Sequence, residues 1–105
     1  MTTDQLRNLK ALVELRGKTA QRTAAGVDQL AAEHRRLQRR WPKPRLGTRA
    51  RARWRAHHGR MRRELANAEA LLRNHVSHFR QARAHYRRAR LAFWARATWA
   101  TLTTP

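Results

Sequence analysis

Six histidines are the side chains of this sequence most able to do chemistry. His75 and His78 are three residues apart, His85 follows His78 by seven, and His57 and His58 are adjacent. A metal centre needs three or four converging ligands, and a helix supplies two at i and i+3 or i+4. The surroundings oppose one. There is no Cys, Glu69 is the nearest acid, and the neighbouring charges are positive. The expectation is therefore no metal and no cofactor. Catalysis has less to draw on. Ser77 is the only serine, and no Asp lies near it in the chain. The acids are Asp4, Glu14, Asp28, Glu33, Glu64 and Glu69, and none forms a recognisable acid–base pair. No phosphate-binding glycine loop is present. Glu64 and Glu69 stand at helical spacing from Arg60, Arg63 and Arg73, which suits surface ion pairs. The residues give no support for an enzyme.

Charge is the stronger signal. The 105 residues hold 25 Lys+Arg against 6 Asp+Glu, a formal net charge of +19. Such a chain repels itself when compact and attracts polyanions or acidic proteins. Most of the cations are Arg and Ala is abundant, as a GC-rich coding sequence produces, so base composition supplies part of the charge. The cations are also uneven. Arg35 to Arg63 contains thirteen Lys+Arg and no acid. Arg35, Arg36, Arg39, Arg40, Arg49, Arg51, Arg53 and Arg55 make a basic patch there. Arg80, Arg83, Arg87 and Arg90 form a second group, spaced to share one helical face over about 15 Å. A nucleic-acid backbone could neutralise such groups without sequence preference, and Trp41 and Trp54 could stack on unpaired bases. No known nucleic-acid-binding motif accompanies them.

These residues need elements to hold them, and the apolar spacing supplies two. Leu65, Leu72, Phe79, Tyr86 and Phe93 recur every seven residues, which puts them on one stripe of one helix. Met61, Ala68, Ala82 and Ala89 widen it. Earlier, Leu6, Leu9, Val13, Ala20, Val27, Leu30, Leu37 and Trp41 follow steps of three and four. Between the two lies Trp41-Pro42-Lys43-Pro44-Arg45-Leu46-Gly47-Thr48. The prolines disfavour helix at and before themselves, Gly47 suits a left-handed turn, and Thr48 suits an N-cap. The spacing predicts a helix over 4–40, capped by Thr2, Thr3 or Asp4, a turn over 41–48 and a helix over 49–100. Gly17, Gly26 and His57-His58-Gly59 are candidate soft points, and Thr101, Thr103, Thr104 and Pro105 a frayed tail. No strand pattern is present.

The predicted fold class is therefore all-α: an antiparallel two-helix hairpin over 1–105, one domain. A chain this short buries only about two-thirds of its unfolded surface, and an elongated helical shape less. Leu12, Leu15, Trp54, Leu71, Val76, Leu91, Trp94 and Trp99 cannot all face one seam. Assembly into a four-helix bundle is expected, as a homodimer or as a heterodimer with another helical, acidic protein. No apolar run approaches the roughly 20 residues that span a bilayer. No signal-peptide pattern follows Met1, so the protein is expected in the cytoplasm or secreted without a conventional signal.

The central Trp, the length and the two heptad-patterned segments resemble the WXG family of small type VII secretion proteins. The resemblance covers roughly 27–86. Trp41 takes the place of the family's turn tryptophan. Gly47-Thr48-Arg49-Ala50-Arg51-Ala52-Arg53-Trp54, then Met61, Leu65, Ala68 and Leu72, resemble the segment that follows it. His58 after Trp54 is similar to actinobacterial members. The resemblance implies a helical-hairpin secretion substrate or partner that works by protein–protein contact. Two positions depart from the family: Lys43 stands where its Gly would follow Trp41 by two, and Arg90 stands four after Tyr86, where an acid completes its export signal. The opening Gln5-Leu6-Arg7-Asn8-Leu9-Lys10-Ala11-Leu12 also resembles the N-termini of stalk proteins of flagellar and type III export machinery.

Overall fold

Helix formation begins at a reciprocal cap. In the computed structural model, which describes residues 1–103, the Gln5 amide donates to Thr2 Oγ1 at 3.2 Å. The Thr2 amide donates back to Gln5 Oε1 at 2.8 Å. Two of the first turn's spare amides are satisfied in this way. From there α1 runs over Thr3–Arg40, 38 residues, with Asp4 at the positive end of its dipole. Gly17 and Gly26 do not interrupt it. The last turn ends as the Trp41 amide donates to the Leu37 carbonyl.

The turn behaves as its residues dictate. Pro42 and Pro44 cannot continue the hydrogen-bond ladder. Gly47 takes φ +78°, a conformation that costs a side-chain-bearing residue more. Thr48 caps the next helix: its Oγ1 accepts from the Arg51 amide at 3.1 Å and donates to the Arg45 carbonyl at 2.8 Å. Then α2 runs over Arg49–Thr103, 55 residues. The fold is an all-α two-helix hairpin, and no strand occurs among the described residues.

Three details differ from the sequence expectation. His57-His58-Gly59, a candidate soft point, lies in unbroken helix, and His58 there is 1% exposed rather than loosely held. Thr101 and Thr103 are not a frayed tail but lie within α2. Their hydroxyls donate to the carbonyls of Ala97 and Trp99, four residues back. Thr104 and Pro105 lie outside the described residues. Finally, Trp54 and Val76 are half-buried rather than left on an outer face.

The hairpin divides into two units. One is Gln21–Asn74, holding the turn, and the other is Met1–Ala20 with His75–Pro105. In the turn unit, Val27, Leu30 and Leu37 of α1 and Met61, Leu65, Ala68 and Leu72 of α2 are half-buried. In the terminal unit, Leu6, Leu9, Val13 and Ala20 are half-buried, as are Phe79, Ala82, Tyr86 and Phe93, and Ala89 is buried. Gly17 is used there. A Cβ at that position would stand 3.2 Å from Phe79 Cε2, so the ring packs where a side chain would be. That contact also sets the register. Counting fourteen residues back from Gly17 reaches Thr3, and fourteen on from Phe79 reaches Phe93. From Trp94 to Thr103, therefore, α2 has no α1 beside it, and each of these residues is exposed.

Candidate functional site

The densest group of side chains sits at the turn. His34 belongs to the α1 face at Val27, Leu30, Leu37 and Trp41, and His58 precedes Leu65 by seven on α2. Both therefore occupy seam positions that apolar residues fill elsewhere. Their ring centroids are 5.9 Å apart. Trp54 lies against His58 at 4.2 Å with 32° between the planes. Trp41 contacts His57 at 5.5 Å and His58 at 6.0 Å. The Trp54 indole N–H donates to the Trp41 carbonyl at 3.1 Å, which ties α2 to the end of α1. Arg51 Nη1 donates to the Pro44 carbonyl at 3.0 Å, and its guanidinium stands 5.3 Å from the Trp54 ring. Lys43 stands 5.6 Å from the same ring. The two cations flank an aromatic that the turn presents to them.

This cluster is tightly made but incompletely satisfied. His34 Nε2, Arg51 Nε and His58 Nε2 are buried without a hydrogen-bond partner. The His58 pKa is lowered, first by burial, then by the charges of His34, His57 and Arg62. A proton on His58 would sit out of water and close to other basic groups, which disfavours the charged form.

The predicted site residues fall into three groups. Trp41 and Trp54 are half-buried and joined by the indole bond, while Gly47 is exposed and serves the turn by its positive φ. Leu65, Leu72, Phe79, Tyr86 and Phe93 are half-buried in their respective units. Of the basic patch, Arg35, Arg36, Arg39, Arg40, Arg49, Arg53 and Arg55 are exposed, while Arg51 is half-buried and engaged with Pro44 and Trp54. His78 and His85 line an open groove in the terminal unit with Leu12 and Arg16. No group of three or more His, Cys, Asp or Glu residues is placed to hold a metal ion among the described residues. None of their helices is long and apolar enough to cross a membrane.

Sequence reasoning missed two features. Apolar spacing passes over His34, whose distance from Val27, Leu30, Leu37 and Trp41 places a polar side chain on an apolar stripe. A groove in the turn unit was also missed. Thr23, Gly26, Val27, Leu30, Glu33, Ala68 and Leu71 line it. Gly26, with nothing within 4 Å of a Cβ built on it, leaves the groove open. Comparison of the chain with protein-family models, curated proteins and solved structures gives no match.

Proposed function

We propose that the protein is a non-enzymatic helical-hairpin interaction module, whose work is to present apolar helical surface to another helical chain. One observation carries this reading: the hairpin buries almost nothing completely. Ala89, 8% exposed, and His58, 1% exposed, are the only buried residues among those described, while Leu12, Leu15, Leu71, Leu91, Trp94, Trp99 and Leu102 are exposed. Two helices can each cover one face; the remainder favours a four-helix arrangement with a partner. The WXG-like resemblance makes the module a type VII secretion substrate, or the partner of a larger secreted protein. A tryptophan turn between two long helices supports that assignment. Lys43 and Arg90 are its weak points.

Light scattering and thermal melts across a concentration series test the module. Self-association, or a broad melt that sharpens and rises with concentration, is expected. A monodisperse monomer with a cooperative, concentration-independent transition that also takes up no helical partner overturns it. Leu72→Asp would place a charge in the half-buried seam, and loss of helical signal or of association is expected, at a cost of about 2 kcal/mol or more. Export is tested separately, by comparing culture medium from cells with and without their type VII ATPase. Equal amounts in both would remove the secretion assignment.

A second reading is favoured by the seven exposed arginines of the patch: contact with nucleic-acid backbone. Trp41 and Trp54 face His57 and His58, so base stacking is not part of it. Binding would weaken with a log–log salt slope of about −0.9 per phosphate. Binding that vanishes at physiological salt would remove this reading.

A further inference from the structure

The end of α2 differs from the rest of the chain in charge. Residues 91–103 carry one charge, Arg96, in a protein that is 30% charged overall. They carry apolar bulk instead. Leu91 is 71% exposed, Trp94 57%, Trp99 70% and Leu102 77%. At 100° per residue, Leu91, Ala95, Thr98 and Leu102 fall on one line along the helix, with Trp94 on one flank and Trp99 on the other. This strip faces away from Ala89 and Phe93, the side chains that α1 covers. Arg87 and Arg90 border it where it begins, in a groove shared with Leu91 and Trp94.

We propose that this strip pairs with the same strip of a second copy, α2 against α2 and antiparallel, about a two-fold axis. The proposal rests on the interaction-module reading and commits it to a surface and an occupant. The pattern itself names the occupant. Read from either end, the strip is large, aromatic, small, small, aromatic, large: Leu91, Trp94, Ala95, Thr98, Trp99, Leu102. The spacings mirror about a point between Arg96 and Ala97. A two-fold axis through that point sets Leu91 level with Leu102 of the second copy, Trp94 with Trp99, and Ala95 with Thr98. An isologous interface demands this self-complementarity. The small residues at the centre let the helices approach. At each level one Trp94 closes one side of the seam, and the second copy's Trp99 closes the other.

Charge is compatible with the same register. Arg96 lies about 140° round the helix from the strip and stays in solvent. Arg87 lies four residues before Leu91, about 6 Å outside the mirrored stretch. None of the thirteen cations between Arg35 and Arg63 is on the pairing surface. Trp94 and Trp99 together expose roughly 300 Å² per copy. With Leu91 and Leu102, two copies can bury about 1,000 Å², the low end for a specific interface. The dimer is therefore reversible.

Sedimentation of the full chain over a concentration series, at 0.15 and 1 M salt, tests this. A monomer–dimer equilibrium is expected. It tightens several-fold with salt, because the Debye length shrinks from about 8 to 3 Å and screens the repulsion between two cationic chains. Trp99→Glu and Leu102→Glu, both at exposed positions, are expected to keep the helical circular-dichroism signal and to weaken the dimer at least tenfold each. A dimer that survives both substitutions overturns the proposal while leaving the interaction module standing. A wild-type monomer up to hundreds of micromolar at both salts also overturns it. So does a monomer that instead binds an acidic helical peptide or anionic vesicles through this strip, with affinity that falls as salt rises.

Discussion

Acidification should loosen this protein through one side chain, His58. In the unfolded chain its imidazole titrates near the ordinary value of 6.5, and in the fold burial and the positive charges of His34, His57 and Arg62 lower it. Between the two values the unfolded chain holds a proton that the folded one refuses. Stability therefore rises with pH across that window. It is fully present above about 6.5, is lost as pH falls towards the lowered value, and falls no further below it. One proton sets the slope, at most about 1.4 kcal/mol per pH unit. For a chain of this size, each kcal/mol lost corresponds to about 4–8 °C in Tm. The perturbation that isolates the effect is His58→Phe. Phenylalanine keeps a ring against Trp54, now 4.2 Å away, and removes Nε2, which is buried without a partner. A buried unsatisfied group costs about 1–3 kcal/mol. The variant should be at least as stable as the wild type at pH 8, and its advantage should grow as pH falls below 6.5. The assay is a set of urea or thermal melts from pH 8 to 5, at one low protein concentration. Parallel curves for the two proteins would refute the reasoning, as would a wild type that gains stability on acidification.

Two glycines of α1 should respond in different ways to the same change. Gly26→Ala adds a methyl with nothing within 4 Å and should stabilise by up to about 1 kcal/mol, read as a rise in Tm. Gly17→Ala gains the same helix propensity but sets its Cβ 3.2 Å from Phe79 Cε2, so it should stabilise less or destabilise. Equal gains at both positions would show that the Phe79 ring does not pack on Gly17. Trp54→Phe deletes the indole N–H that donates to the Trp41 carbonyl. A loss of about 1 kcal/mol or more is expected from equilibrium unfolding, because the carbonyl loses its donor in a half-buried site. An unchanged midpoint would mean that water replaces the bond at no cost.

The helices and the turn were legible because their signals are local. Two prolines, Gly47 and Thr48 fix the break within a few residues, and steps of three and four fix the faces. All eight residues that the first spacing selected, seven in α1 from Leu6 to Leu37 and then Trp41 just past its end, are half-buried. The cap was legible in kind, with Thr2 among its candidates, but Gln5 as its reciprocal partner was not read. Two things escaped for physical reasons. A stripe defined by apolar side chains passes over a histidine, so the seam was started at Leu65 although His58 stands one heptad earlier. For the same reason His34 was lost among arginines. Adjacent histidines followed by glycine suggested weakness, yet two tryptophans folded over them make this the most buried point of the turn unit. Position near the end of the chain suggests fraying, yet α2 continues to Thr103, and the hydroxyls of Thr101 and Thr103 find acceptors in the preceding turn.

The distribution of charge constrains what the hairpin can do more than its total does. A helix pair with +19 spread evenly would oppose every contact with its own kind. This chain instead places thirteen cations, with no acid among them, between Arg35 and Arg63, and a single one between Leu91 and Thr103. Base composition can raise arginine everywhere, but it gives no reason for two tryptophans and two leucines to mirror one another about Arg96 and Ala97. Exposed indoles cost solubility unless something covers them. The proposed cover, another copy of the same strip, carries a single charge there and matches its spacing. Salt therefore separates the two surfaces: contacts made by the arginine patch should weaken as it rises, and contacts made by the strip should strengthen.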